Sequence, residues 1–100
     1  MANKEEQAWM DWIARQGCAI CRSPAQVHHL KSGGRRIGHL HTIPLCFNHH
    51  ESHRDDAEVT SLHHWKKRWE TRYSTTEREI LTRLRREYAR LCEDEGSQNS

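Results

Sequence analysis

Cys18-Ala-Ile-Cys21 and Cys46-Phe-Asn-His49 are two pairs of metal-ligand residues with the same internal spacing. A structural zinc ion takes four thiolate or imidazole ligands at tetrahedral corners, and a tight turn supplies two of them at once. Each pair is half of such a site, and together they make a whole one. Cys18, Cys21, Cys46 and His49 are therefore expected to hold a structural Zn2+ and to knot the two ends of a hairpin. The competing chemistry for Cys18 and Cys21 is a redox dithiol. That reading comes with a βαβ pattern, which is not visible around them. Cys92 has no partner motif and reads as a plain half-buried thiol.

The other histidines are too many and too clustered for the clamp alone. The chain has nine in 100 residues, and most fall between His28 and His64. His28-His29 lies between the two halves of the clamp. His50 and His53 follow the second half directly, three apart and on one face of a short helix. His63-His64 opens the next segment. In a strand, neighbouring side chains leave on opposite faces, so His28 and His29 have different tasks: one can hold a metal while the other reaches a water. Phosphodiester hydrolysis needs that division, a cation at the phosphate and a neutral imidazole to take the proton of the attacking water. The plainer alternative is that several of these histidines are simply polar surface residues.

The elements that must position these groups can be read from periodicity. Lys4 to Gln16 reads as a helix with Ala8, Trp9, Trp12 and Ile13 on its apolar stripe, stopped at Gly17. Trp9 and Trp12 are expected in the core. Val27 to Leu30 suits a strand, residues 32–36 a flexible glycine loop, and His41 to Leu45 a returning strand that Pro44 confines to an edge or bulge. A short helix is expected from Cys46. Arg54 to Thr60 reads as a connecting loop. Leu62 to Tyr73 and Thr76 to Cys92 read as helices, the second opened by the capping box Thr76-Glu77-Arg78-Glu79.

The bulk numbers agree with a metal-stapled fold. Only 34% of the residues are hydrophobic and 30% are charged. A domain of this size is marginal on apolar packing alone and needs a staple. The expectation is a single domain over residues 1–93, with its core at about 17–54, C-terminal helices at about 61–93 and a polar tail at 94–100. No secretory signal and no long apolar run are visible, so a cytoplasmic setting away from membranes is expected. A net charge of +2 does not argue for nucleic acid. Local clusters do: Arg35 and Arg36 beside glycines, and Lys66, Lys67, Arg68 and Arg72 in one segment. The alternative for such runs is a solvated helix face.

Cys-x-x-Cys, a histidine pair, then Ile43-Pro44-Leu45-Cys46-x-x-His49-His50 resembles the HNH endonucleases that carry a zinc knuckle in a ββα-metal core. More narrowly, Val27-His28-His29-Leu30 with Thr42 to Cys46 and His49-His50 is similar to the Ref-type phage recombination nucleases, described as RecA-dependent. Leu62 to Tyr73 resembles the segment that follows the core in those proteins. The likeness covers roughly residues 17 to 91. It implies an α+β fold: a small zinc-stapled ββα-metal (HNH, His-Me finger) core flanked by an N-terminal helix and two C-terminal helices. By the same resemblance His29 is the general base and His28 the preceding metal ligand. His50, then His53 or His63, are the later metal positions. The central asparagine of the HNH pattern has no counterpart; His39 or His41 lies in its neighbourhood. The longer Ref-type proteins also have a basic arm ahead of the domain, which is not seen here. DNA is the implied partner, and a recombinase filament is a partner tied to that arm.

The expected function is a metal-dependent DNA endonuclease, phage or prophage encoded, in the bacterial host cytoplasm. The catalytic site would pair His29 with a divalent metal (Mg2+, Mn2+, Ni2+ or Zn2+) on His28, His50 and a third histidine. Arg35, Arg36, Lys66, Lys67, Arg68 and Arg72 would hold backbone phosphates. The alternatives are a zinc-knuckle nucleic-acid-binding adaptor without catalysis, which leaves the paired histidines unexplained, and a metal-sensing or storage protein.

Overall fold

The computed structural model describes residues 2–98, and for residues 94–98 the backbone only. Asn3 begins helix α1 (Lys4–Gln16) with a complete capping box: its side chain accepts from the Glu6 N–H, and its own N–H donates to Glu6 Oε1. Gly17 ends the helix at φ 80°, ψ 177°, a region that essentially only glycine occupies. The chain can then turn back so closely that a Cβ on Gly17 would lie 2.5 Å from the Arg22 carbonyl oxygen.

After this turn come β1 (Gln26–His29), β2 (Lys31–Ser32), β3 (Arg35–Arg36), β4 (Thr42–Leu45) and the one-turn helix α2 (Phe47–His50). Strand β1 pairs antiparallel with β4, His28 opposite Ile43 and His29 opposite Thr42. With α2 packed next in sequence, this is the ββα core. Among the described residues the β1–β4 sheet has two strands, so Pro44 does sit at an edge. The segment expected to be a loose glycine loop is instead a hairpin, β2 against β3. Gly33 and Gly34 both have positive φ, 59° and 80°, as the tight turn matching strand twist requires.

Helix α3 (Lys66–Tyr73) starts later than its apolar periodicity implied. Leu62 and His63 give their N–H groups to the carbonyls of His49 and His50, at 2.9 and 2.8 Å, so these tertiary bonds hold residues 62–64 as a turn. Helix α4 (Glu77–Gln98) runs past the Cys92 end expected for it. Thr76 caps it by accepting from the Glu79 N–H.

The core lies between α1, the β1–β4 sheet and α4. Trp9 and Ile13 of α1 pack with Leu30, Ile43, Leu45, Leu62, Trp69, Ile80, Leu81 and Leu84. Ile13, Ile43 and Leu45 are fully buried, each worth about 1.5–3 kcal/mol in apolar transfer. Trp12 is only partly buried, stacked on Trp9 and tilted against Tyr88. The architecture is thus the small α+β fold expected, four helices and two small antiparallel sheets among the described residues.

Candidate metal centres and catalytic cleft

The Gly17 turn delivers Cys18 and Cys21, and the β4–α2 junction delivers Cys46 and His49. Their ligand atoms, three Sγ and one imidazole nitrogen, all lie within 4.8 Å of one another. His49 Nδ1 is 3.1 Å from Cys46 Sγ and 3.8 Å from Cys18 Sγ, and Cys21 Sγ is 3.6 Å from Cys46 Sγ. Cys18, Cys46 and His49 are buried and Cys21 is exposed. The Ile20 N–H points at Cys18 Sγ, 3.4 Å away. The donor chemistry is that of a closed structural zinc site, and the cluster is consistent with one. Among the described residues no other group of three or more His, Cys, Asp or Glu ligand atoms lies this close together.

Beside the knot, His28 and His29 leave β1 toward different partners. The His28 ring meets the His50 ring edge to face, centroids 4.6 Å apart. His28 Nε2 lies 2.7 Å from Glu77 Oε2, in the first turn of α4. His50 Nδ1 is 3.1 Å from the Gln26 side-chain oxygen. His29 Nε2 instead lies 3.0 Å from His39 Nδ1. The loop carrying His39 is tied to the core, because Trp9 Nε1 donates to Thr42 Oγ1, which donates to the His39 carbonyl.

Both His28 and His29 border a cleft of about 190 Å³ that is also lined by Lys31, Leu62, His63, Lys66 and Glu77. A larger cavity, about 730 Å³ at the α1–α4 seam, has no histidine in its lining. Burial is the main reason that His29 and His50 are held below the ordinary imidazole pKa. Next come the Arg36 charge for His29 and the neighbouring His28 for His50. Both effects favour the neutral ring.

The remaining sequence candidates are distributed as follows. His63 reaches the cleft, whereas His53 stacks on His64 with centroids 3.6 Å apart. Arg35 and Arg36 are exposed on the β2–β3 hairpin, and Lys67 is exposed on α3. Lys66 Nζ is 3.3 Å from Glu77 Oε1. Arg68 pairs with Asp55, and Arg72 donates to the carbonyls of Asp56 and Ala57 and to Thr60 Oγ1, so both staple α3 to the 54–60 loop.

The sequence model of one family, recombination enhancement, RecA-dependent nuclease, matches residues 2–88. The chain belongs to that family. No curated protein and no solved structure matches it. Membership in the RecA-dependent nucleases makes nuclease chemistry the activity to be explained. It also agrees with the likeness read from the Cys/His core. No helix among the described residues is long and apolar enough to cross a membrane.

Two partners of the clustered histidines carried no sequence signal as site residues. Glu77 reads as an ordinary first-turn acid of a helix, and it meets His28 across 49 positions of chain. Gln26 reads as a polar strand residue.

Proposed function

We propose that this family member is a metal-dependent DNA endonuclease of the HNH type, with His29 as general base. The observation that carries the reading is the split of the β1 histidine pair. His28 is gathered with His50 while His29 is paired with His39, and both border one cleft beside the Cys/His knot.

His28 Nδ1 and His50 Nε2, the ring nitrogens not facing Glu77 and Gln26, would serve as donors to a catalytic cation, with His63 at the cleft edge. Imidazoles suit transition metals better than magnesium, so Mn2+, Ni2+ or Zn2+ should bind more tightly than Mg2+. A cation held there would neutralise the scissile phosphate and the leaving oxygen.

The chain's own residues supply the rest. With its Nε2–H donated to His39 Nδ1, His29 has Nδ1 as the nitrogen that accepts a proton from the attacking water. The water oxygen bonds to phosphorus, the P–O bond to the leaving nucleoside breaks, and solvent protonates the departing oxygen. His39 serves as the positioning residue for the base, in the role that the missing HNH asparagine leaves open. Arg35, Arg36 and Lys67 hold phosphates along the strand, with Lys66 shared with Glu77.

Residues 1–93 act as one nuclease domain. DNA is the substrate and a RecA-type filament the partner that the family description implies. A phage or prophage source and a bacterial cytoplasmic setting complete the reading.

The test is nicking of supercoiled plasmid with zinc-loaded protein across a panel of divalent metals, wild type against His29→Ala. Metal-dependent nicking lost in the variant supports the reading. Wild-type protein that binds DNA but nicks under no metal would replace it with the non-catalytic adaptor.

A further inference from the structure

A half-buried carboxylate needs a partner, because desolvating it otherwise costs several kcal/mol or forces its protonation. The Glu77 side chain is 14% exposed, and its two oxygens are divided between His28 Nε2 at 2.7 Å and Lys66 Nζ at 3.3 Å. Lys66 reaches in from the surface, 63% exposed. The neighbouring imidazole has a matching arrangement: His50 Nδ1 faces the Gln26 side-chain oxygen at 3.1 Å. Each ring therefore has one nitrogen against an oxygen acceptor from another part of the chain. The two rings meet edge to face between those acceptors. Imidazoles that bind metals are usually held this way, with the second nitrogen donating to a carboxylate or carbonyl that fixes tautomer and ring angle.

The 2.7 Å separation matches one of two roles for Glu77, hydrogen-bond acceptor rather than direct ligand. Two donors on one cation, each at roughly 2.1 Å, sit about 3 Å or more apart at octahedral or tetrahedral angles. A charge-assisted hydrogen bond is about 2.7–2.9 Å long.

We propose that Glu77 is a positioning residue of the catalytic metal site. Its carboxylate accepts the Nε2–H of His28 and leaves Nδ1 as the ligand atom, while Lys66 holds the other carboxylate oxygen. Gln26 does the same for His50, leaving Nε2. The inference rests on the reading of His28 and His50 as metal ligands.

The test uses full-length, zinc-loaded protein and two readouts other than cleavage. Mn2+ affinity is measured by titration with electron paramagnetic resonance. The His28 tautomer is read from long-range proton–nitrogen NMR correlations without Mn2+. Wild type should bind one Mn2+ beyond the zinc and show His28 as the Nε2–H form. Glu77→Ala should weaken Mn2+ binding about 10–100-fold and mix the tautomers. Glu77→Gln, whose amide oxygen still accepts the bond, should keep the tautomer and most of the affinity. It also decides the matter if the alanine variant loses its zinc.

Wild-type Mn2+ affinity in Glu77→Ala overturns the proposal. So does weakened binding with the His28 tautomer unchanged, which makes the carboxylate a direct ligand. A separate result overturns the underlying reading as well: no Mn2+ bound by wild type, or binding by His28→Ala equal to wild type.

Discussion

At the scale of single residues, adjacent histidines have been given different surroundings. His28 lies against His50 and Glu77, His29 against His39. The two should fail differently when removed. His29→Ala should cut plasmid nicking by about 10²–10⁴-fold, the usual cost of losing a general base, with zinc content and Mn2+ affinity unchanged. His28→Ala should lower Mn2+ affinity first, and raising the metal concentration should restore part of the rate. Equal rates for wild type and His29→Ala at saturating Mn2+ would remove His29 from the mechanism. His39→Ala tests the orienting bond. A misdirected base can cost up to about 10²-fold, so an intermediate loss of about tenfold or more is expected. His39→Asn should recover part of it, since an amide can also hold the ring. A merely structural His39 would show no such rescue.

At the scale of elements, turns do much of the positioning. Gly17 holds a backbone conformation costing another residue about 1–3 kcal/mol, and its missing Cβ makes room for the Arg22 carbonyl. Gly17→Ala should therefore destabilise the fold by at least that amount and speed loss of zinc to a chelator. Thermal unfolding and a colorimetric zinc-release assay measure the two effects. An unchanged melting temperature would mean that the knuckle relaxes freely. The β2–β3 hairpin makes a different prediction. It presents Arg35 and Arg36 to solvent, where phosphate contacts release counterions. Replacing both with alanine should reduce the slope of log affinity against log salt by about two units and weaken every duplex alike. Loss of preference for one particular sequence would instead identify them as base readers. Arg68 and Arg72 should behave unlike this pair. Their guanidinium groups are engaged with the 54–60 loop, so their removal should cost stability before DNA affinity.

At the scale of the whole molecule, the apolar core and the Cys/His knot share the work of folding. Domains of this size have net stabilities of about 5–15 kcal/mol, and a structural zinc contributes roughly 10–16 kcal/mol at neutral pH. The second figure is as large as the first, so the metal-free chain should not remain folded. Strong chelation, or Cys46→Ser, should abolish the cooperative thermal transition and collapse the near-ultraviolet circular dichroism of Trp9 and Trp69. A mild chelator that strips only the weaker site should stop cleavage and leave that spectrum intact. A well-folded, zinc-free preparation would contradict the first of these outcomes.

The knot was legible in the sequence because each half is local. Cys18 with Cys21, and Cys46 with His49, need only a turn to bring two donors together, and residue type and spacing are enough to recognise such a turn. The two strands around the histidine pair, helix α1 and the α4 stripe were legible for the same reason, since periodicity is a local property. The later start of α3 was not, because it depends on Leu62 and His63 bonding to the carbonyls of His49 and His50. The β2–β3 hairpin had its signal in Gly33-Gly34, although the polar segment around it reads equally well as a loop. The partners of the histidines were beyond reach of any local rule. Glu77 is 49 positions from His28, Gln26 is 24 from His50, and His39 is 10 from His29. Sequence by itself picked out the four residues of the Cys/His knot and the segments that carry them. Only the tertiary structure decided which nitrogen of each ring faces which partner, because that is set by how α4 and the 37–41 loop pack against β1.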